Sequence, residues 1–245
     1  MRLSMSDQTS IRANLERVRE RIAEAAERAG RSPDDIALVG VSKTIGPEIV
    51  RESIEAGLTE IGENRVQEAQ PKIETLGPEA EASGRPVRWH MVGHLQRNKA
   101  KTAVGLFDLI QSLDSRRLAE AVNKAALEAG VKMDVLCEVN TSGEKSKFGL
   151  APSEAVKFVA ELADLKGMQV RGLMTIGPMV ADPDEARPAF GKLRDLGREL
   201  EGEGFPWAEM RYLSMGMTSD FEQAIEEGSN MVRIGTAIFG RRSRG

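Results

Sequence analysis

Residues 36–76 read IALVGVSKTIGPEIVRESIEAGLTEIGENRVQEAQPKIETL, and this stretch decides the fold. Its apolar run at 36–41 and the shorter run at 60–63 predict two strands. The segments 47–56 and 66–76, which follow these strands, have the composition of helices. Strand, helix, strand and helix in direct succession predict parallel strands that are joined by helical crossovers.

The same alternation continues along the rest of the chain. Strands are predicted at 36–41, 60–63, 89–93, 107–111, 134–139, 169–176, 211–214 and 231–234. Helices are predicted at 47–56, 66–76, 97–104, 116–129, 153–165, 184–203 and 220–227, with stops at Gly57, Gly77, Gly130, Gly167, Gly204 and Gly228. Eight strands in 245 residues, without a G-x-G-x-x-G turn, predict an α/β protein with a single (β/α)8 TIM barrel rather than an open sheet.

An amphipathic helix precedes the predicted barrel. Its apolar residues recur at steps of three and four, at Ile11, Leu15, Val18, Ile22 and Ala25. Ser10 is the predicted N-cap and Gly30 the predicted stop. We therefore expect a helix at 11–29 that packs on the barrel, with a solvated charged face, within one domain at 1–245.

Composition narrows the classes of function. The 34 basic and 38 acidic residues give a net charge of −4, which argues against nucleic acid as a partner. Cys137 is the single cysteine and lies in an apolar run, so a buried thiol is expected. The sequence has neither an N-terminal apolar h-region nor a run of about 18 apolar residues, so a cytoplasmic protein without membrane contact is expected.

The first strand ends in VSKT (41–44), and active sites of this fold lie at the carboxyl ends of the strands. We expect Lys43 to lie inside the barrel mouth, where partial desolvation lowers an ammonium pKa. Such an amine can form a Schiff base with a carbonyl. The alternative is a lysine that reaches into solvent, and its position alone does not decide between the two.

Small and hydroxyl residues follow the last two strands. Residues 214–220 read SMGMTSD, and Gly235 and Thr236 follow the eighth strand. Loops of this kind form the usual phosphate site of the fold, so Ser214, Met215, Gly235 and Thr236 are candidate binding residues. A lysine and a phosphate site together indicate a ligand with an aldehyde and a phosphate, and pyridoxal 5'-phosphate is the common cofactor of that description. The alternative is ordinary capping, because Ser219 and Glu222 fit a capping box.

Arg233 lies two residues before Gly235, so strand alternation predicts that it faces the binding end of the barrel. In the alternative, Val232 and Ile234 face inward, which a barrel strand with two buried faces also allows. An arginine opposite a pyridine nitrogen can only donate a hydrogen bond, so the ring stays unprotonated. Chemistry that needs a strongly stabilised carbanion would be poorly supported.

Two further patterns point to no site. His90 and His94 are four residues apart but have no third histidine or cysteine nearby, so no metal site is predicted. The stretch 235–242 is similar to a phosphate-binding loop, but Arg241 replaces the lysine and Arg242 replaces the serine or threonine. Nucleotide hydrolysis is therefore not expected.

From about residue 11 onward the chain resembles the pyridoxal phosphate homeostasis protein family. The resemblance is carried, in this order, by VSKT (41–44), IGENRVQEAQPK (61–72), WHMVGHLQRNK (89–99), IQSLDS (110–115), VNTSGEKSKFG (139–149), GLMTI (172–176), LSMGMTSDFEQAI (213–225) and VRIGTAIFG (232–240). It implies a barrel similar to the N-terminal domain of alanine racemase, with pyridoxal phosphate bound to Lys43. It also implies Ser214, Gly235 and Thr236 around the phosphate, Arg233 near the pyridine nitrogen, and Asn64 and His90 in the pocket. Arg241 and Arg242 depart from the family pattern, in the tail only.

Three functions remain open. The first, which the resemblance favours, is a monomeric protein without catalytic activity that holds pyridoxal phosphate and supplies it to apo-enzymes through transient contacts. The second is an amino-acid racemase, which needs a second base opposite the lysine. In barrel racemases this base is a tyrosine from another domain, whereas the one tyrosine here is Tyr212, two residues before Ser214. The third is a Schiff-base aldolase, whose lysine more often comes from a later strand.

Overall fold

The structure, a computed structural model, describes residues 10–144 and 146–240. Parallel strands run in chain order around a closed barrel: β1 (Ala37–Val41), β2 (Glu60–Glu63), β3 (Arg88–Met91), β4 (Leu109–Leu113), β5 (Met133–Glu138), β6 (Met168–Met174), β7 (Ala208–Ser214) and β8 (Met231–Ile234). The barrel is closed because β8 pairs with β1, where Ile234 lies opposite Gly40. The predicted (β/α)8 TIM barrel is confirmed.

Helices connect the strands and cover the outside of the barrel. They are α1 (Ile11–Arg28), α2 (Pro47–Glu55), α3 (Val66–Ala82), α4 (Ala100–Val104), α5 (Arg116–Ala129), α6 (Pro152–Glu161), α7 (Arg187–Glu203), α8 (Phe221–Glu226) and α9 (Thr236–Phe239). Short 3-10 helices lie at Pro33–Asp35, Arg97–Lys99, Leu162–Asp164 and Pro183–Ala186. Among the described residues, no helix combines the length and the apolar character that a membrane crossing requires.

The core has two layers because both faces of a parallel barrel strand are buried. The barrel interior is filled by Val39, Val92, Leu109, Leu136, Met174 and Met231. A larger layer between strands and helices includes Cys137, Val232 and Ile234. Cys137 is buried as expected, and burial raises the pKa of its thiol to about 12. Because Val232 and Ile234 point outward, Arg233 between them points into the barrel interior.

Helix α1 packs across α8 and α9, the helices that follow the last two strands. The Ser10 hydroxyl accepts a hydrogen bond from the Ala13 N–H at 3.2 Å, so the predicted cap is confirmed. The charged face is not only solvated, because Arg21 lies 2.9 Å from Glu222 of α8. Residues 1–9 and 241–245 of the predicted domain, including Arg241 and Arg242, lie outside the described residues.

Several predicted element boundaries are wrong. Helix α3 does not stop at Gly77 but continues to Ala82, because Leu76 and Ala80, one turn apart, are both buried against the molecule. Strand β7 begins at Ala208 rather than Arg211, because Ala208 pairs with Val170 of β6 although its own segment lacks an apolar pattern. In both cases packing against a distant segment outweighs local sequence preference.

Candidate functional site

A cavity of about 820 Å³ opens at the carboxyl ends of the strands. Five of the predicted site residues line it: Lys43, Asn64, Arg233, Gly235 and Thr236. The other three, His90, Ser214 and Met215, are fully buried and are not among its lining residues. The cavity lies where this fold places its active sites.

Lys43 stands in a tight turn above β1. The Ile45 N–H donates to the Ser42 carbonyl at 3.0 Å, and Thr44, the residue after Lys43, has φ of 63°. A β-branched residue rarely adopts this left-handed conformation, so the turn holds backbone strain beside the lysine. Lys43 itself is exposed at the rim of the cavity. The expected partial desolvation is wrong, because β1 ends at Val41 and Lys43 lies beyond the packed interior.

A buried ion pair that the sequence analysis missed lies beneath this turn. Lys72 Nζ donates to Glu63 Oε1 at 2.7 Å and to the Ser42 carbonyl at 2.8 Å. The Ser42 hydroxyl donates to the same Glu63 oxygen at 2.5 Å. The pair therefore ties the end of β2 and helix α3 to the residue before Lys43. Its only sequence signal was a glutamate and a lysine in the motif IGENRVQEAQPK.

Arg233 is buried and faces the barrel interior, as alternation predicted. Its guanidinium donates to the Ser214 hydroxyl at 2.6 Å and to the Thr175 carbonyl at 2.7 Å. Burial lowers the Arg233 pKa to about 10, opposed by the charges of Glu138 and Asp220. The side chain therefore remains a cation at neutral pH and keeps further N–H groups for an acceptor in the cavity.

Ser214 and His90 belong to a hydrogen-bonded chain inside the barrel. The Ser214 hydroxyl donates to Gln111 Oε1 at 2.6 Å, and Gln111 Nε2 lies 2.8 Å from His90 Nδ1. His90 Nε2 in turn lies 3.1 Å from a carboxylate oxygen of Glu60, without hydrogen-bond geometry. Because the single hydroxyl hydrogen of Ser214 is directed to Gln111, Ser214 does not donate to the cavity in this arrangement. His90, for which the resemblance implied a place in the pocket, lies in the barrel interior, and its link to the cavity runs through Gln111 and Ser214.

The loop after β7 contributes different residues from those first expected. Met215 points into the layer between strands and helices, whereas Met217, Thr218 and Ser219 line the cavity. The capping box of Ser219 with Glu222 is not formed. Asp220 is the N-cap of α8, and its carboxylate accepts a hydrogen bond from the Met217 N–H at 2.6 Å. Thr218 and Ser219 line the same cavity as Gly235 and Thr236, which follow the neighbouring strand β8.

Asn64 lies directly after β2 and lines the wall next to Lys43. Gly93, after β3, packs against it so closely that a Cβ there would lie 2.4 Å from the Asn64 carbonyl oxygen. A residue larger than glycine would displace Asn64 from its place. This close backbone approach was not anticipated from the sequence.

The opposite wall carries acidic and aromatic groups. Glu138, at the end of β5, lines the cavity and is 4% exposed. Burial and the nearby charge of Asp114 raise the Glu138 pKa to about 7, and Arg233 opposes this rise. Asp114 lies 3.2 Å from His94 Nδ1, and the His94 ring stacks on Phe148 at 3.8 Å between centroids. None of these residues was predicted, because nothing in a local pattern marks them.

The closed barrel with a cavity at its strand ends defines the class of protein, the barrel found at the N-terminus of alanine racemases. Residues 7–243 match the family described as "Alanine racemase, N-terminal domain". An alanine racemase of Clostridium difficile superposes with a TM-score of 0.72 over 95% of this chain and 57% of its own. At 18% identity this likeness shows the fold alone.

The relatives define the family more closely. The pyridoxal phosphate homeostasis protein of Aquifex aeolicus is 45% identical over 228 residues, which is 93% of this chain and 96% of that protein. A crystal structure of an unknown protein from Bifidobacterium adolescentis has a TM-score of 0.91 at 38% identity, with 97% of both chains covered. PipY of Synechococcus elongatus, solved with PLP bound, has a TM-score of 0.74 at 36% identity and covers 89% of this chain and 100% of its own. The chain belongs to the pyridoxal phosphate homeostasis protein family.

Proposed function

We propose that this protein binds pyridoxal 5'-phosphate at the carboxyl ends of its strands and takes part in the homeostasis of this cofactor. The observation that carries the proposal is that an amine, a buried guanidinium and a small hydroxyl wall line one cavity, through Lys43, Arg233 and Thr236. The relative PipY, which is described with PLP bound, supports the same ligand.

The residues fit the chemical groups of this cofactor. Lys43 would attach the aldehyde as a Schiff base, and its exposure at the rim leaves the amine accessible. Thr218, Gly235 and Thr236 would surround the phosphate, and Arg233 would donate to the pyridine nitrogen. Asn64 would border the ring. Ser214, His90 and Met215 would lie behind the residues that line the cavity. Ser214 would hold Arg233 by a hydrogen bond, His90 would support Ser214 through Gln111, and Met215 would pack between strands and helices. When bound, the cofactor supplies a reactive aldehyde.

We further propose that the protein is a cytoplasmic carrier that passes the cofactor to apo-enzymes by transient contact. The names of the curated relatives support a homeostasis role. Tyr212 is the single tyrosine, and it packs against the interior cluster of the barrel instead of lining the cavity. No tyrosine of this chain therefore stands opposite Lys43 as a second base for racemisation. A closed barrel has no unpaired strand edge, which supports a monomer.

The decisive experiment is to load the purified protein with pyridoxal phosphate, record its visible spectrum, reduce it with borohydride and map the modified peptide. We expect a pyridoxyl adduct on Lys43 and no turnover of amino acids by the same sample. Lys43→Ala should lose the adduct and stay folded, because the side chain is exposed. Lys101→Ala, which changes an exposed lysine of α4, is the matched control and should keep the adduct. A protein whose Lys43 traps no cofactor would refute the proposal.

A further inference from the structure

Glu138 is a buried carboxylate that the proposed cofactor site does not use. Its side chain lines the cavity, yet within residues 10–144 and 146–240 it has no hydrogen bond and no ion pair. An unpaired carboxylate that is removed from water is costly, and proteins usually pair such groups. The missing partner is therefore to be sought among molecules that enter the cavity.

The charges around Glu138 indicate the kind of molecule. Asp114, from the loop after β4, adds negative charge, whereas Arg233 of β8 is the positive group close enough to oppose it. Lys43 and His94 line the same cavity, and His94 is already paired with Asp114 at 3.2 Å. The stacked rings of His94 and Phe148 border this acidic wall. Carboxylates beside aromatic faces favour an organic cation.

The cofactor itself does not neutralise the carboxylates of this wall. Its phosphate is an anion, which a carboxylate repels, and the positive charge of a Schiff base on Lys43 would lie after β1, across the barrel from Glu138 at the end of β5. The cavity of about 820 Å³ lies in the upper part of the range of roughly 300–1,000 Å³ that small-molecule sites span. A second, smaller group can therefore enter beside a cofactor on Lys43.

We infer that Glu138 binds the primary ammonium group of an incoming amine and accepts its proton, so that the amine can take the cofactor from Lys43. This inference rests on the proposed function. A cofactor on Lys43 would be held by a protonated C=N double bond between its carbon and Nζ. The ammonium would give one proton to the Glu138 carboxylate, and the neutral amine would bond to that carbon while one electron pair of the C=N bond moves onto Nζ. One proton would pass from the incoming to the leaving nitrogen, the remaining bond to Nζ would break with its electron pair on Nζ, and the lone pair of the incoming nitrogen would form the new C=N bond. Glu138 would return its proton to the released lysine.

The ionisation of Glu138 suits this role. A proton acceptor works best when its pKa lies near the working pH, and the Glu138 pKa is raised to about 7. A primary alkylamine is almost entirely protonated at that pH, so a nearby acceptor supplies the neutral amine that the reaction requires. The shared ligand chemistry is a primary alkylammonium, which is present in free amino acids and in the lysine side chains of proteins.

The test follows the bound chromophore of the cofactor-loaded protein at about pH 7 after addition of alanine or of Nα-acetyl-lysine amide. Glu138→Gln keeps the shape and removes the charge, and we expect displacement about 10²-fold slower than in the wild type. The difference in displacement rate between the two proteins should shrink as the pH is raised toward the pKa of the amine. At that pH much of the amine is already neutral in solution and needs no proton acceptor. Glu154→Gln, at an exposed position of α6, is the matched control and should match the wild type.

Two further measurements separate the possible failures. Methoxyamine, whose nitrogen is already unprotonated at neutral pH, should displace the cofactor equally from the wild type and Glu138→Gln. In the cofactor-free protein, methylammonium should lower the Glu138 pKa, followed by carboxyl 13C NMR, because a cation favours the carboxylate. If borohydride yields no adduct on Lys43, the proposed function fails. If the adduct forms but amines displace the cofactor at equal rates from the wild type and Glu138→Gln, only the inference about Glu138 is overturned.

The two amines distinguish the source of the ligand. A displacement rate that saturates with alanine and depends on Glu138 supports the inference with a free amino acid as the acceptor. A rate that saturates with the lysine derivative supports it with a protein lysine as the acceptor. If neither displacement rate depends on Glu138, the role of Glu138 as the proton acceptor is refuted.

Discussion

Lys72 and Glu63 form a buried ion pair directly below the turn that carries Lys43. Lys72→Met keeps most of the volume of the side chain but leaves the Glu63 carboxylate without its partner. Breaking one side of a buried pair typically costs about 3–5 kcal/mol, and we expect a loss of that order in the free energy of unfolding. Urea denaturation at neutral pH measures it.

The control for this variant uses both partners. Adding Glu63→Gln to Lys72→Met removes the uncompensated charge, so the double variant should regain part of the loss. Lys101→Met, at an exposed ion pair of α4, should change stability by less than about 0.5 kcal/mol. A Lys72→Met loss no larger than that of Lys101→Met would contradict the assignment.

Glu138 should also make stability depend on pH. Its folded-state pKa is raised from 4.5 to about 7, so the folded protein binds this proton more tightly than the unfolded chain. The corresponding stability is fully present below about pH 4.5 and is lost as the pH rises through about 7. At about pH 8 we expect Glu138→Gln to be more stable than the wild type by up to about 3 kcal/mol. Equal stability of the two proteins at every pH would show that the carboxylate is solvated or paired.

At the scale of single elements, α7 contains a glycine that the helix does not need. Gly202 lies in the last turn of α7, and a Cβ there would meet no atom within 4 Å beyond its chain neighbours, neither of which is a proline. Gly202→Ala should therefore stabilise the protein by about 0.5–1 kcal/mol, because alanine loses less backbone freedom on folding. The shift of the urea midpoint at unchanged slope measures the gain.

Gly204, the residue directly after α7, is the matched control for this substitution. Beyond its chain neighbours a Cβ there would also meet no atom within 4 Å, but its φ of 65° lies in the left-handed region. Gly204→Ala should therefore destabilise the protein by about 1 kcal/mol, which is opposite in sign to Gly202→Ala. If both variants shift stability in the same direction, Gly202 is not in an ordinary helical conformation.

At the scale of the whole molecule, the sequence predicts those features that local periodicity determines. The alternation of strands and helices gives the closed barrel, and strand ends identify Lys43 and Gly235. The inward direction of Arg233 follows from a period of two within one strand. These features require no knowledge of which residues meet across the barrel.

Features that depend on barrel closure could not be predicted. Gln111 of β4 hydrogen-bonds both His90 of β3 and Ser214 of β7, and this draws the two residues into the interior. The link between β4 and β7 crosses the barrel, so no segment of the chain contains its signal. The exposure of Glu138 to the cavity depends in the same way on the register between β5 and its neighbours, which shifts between Val135 and Cys137.

The barrel has its shortest strand pairing at the seam between β7 and β8, where Ser214 lies opposite Met231. Helix α1 packs over α8 and α9, which follow these two strands. The buried face of α1 therefore holds together the two loops that line the proposed phosphate wall. Leu15, on that face, is 1% exposed.

Leu15→Ala should loosen this seam in particular. We expect a loss of about 2–5 kcal/mol in the free energy of unfolding, together with faster amide exchange in α8 and α9 and faster loss of bound pyridoxal phosphate on dialysis. Leu118→Ala creates a similar cavity under α5, at a residue that is 3% exposed and lies away from the seam. It should lower global stability by a comparable amount while leaving exchange in α8 and α9 slow, because opening of the barrel near β4 and β5 does not release the loops after β7 and β8. If Leu118→Ala accelerates exchange in α8 and α9 as much as Leu15→Ala does, then α1 stabilises the barrel as a whole and not the binding wall.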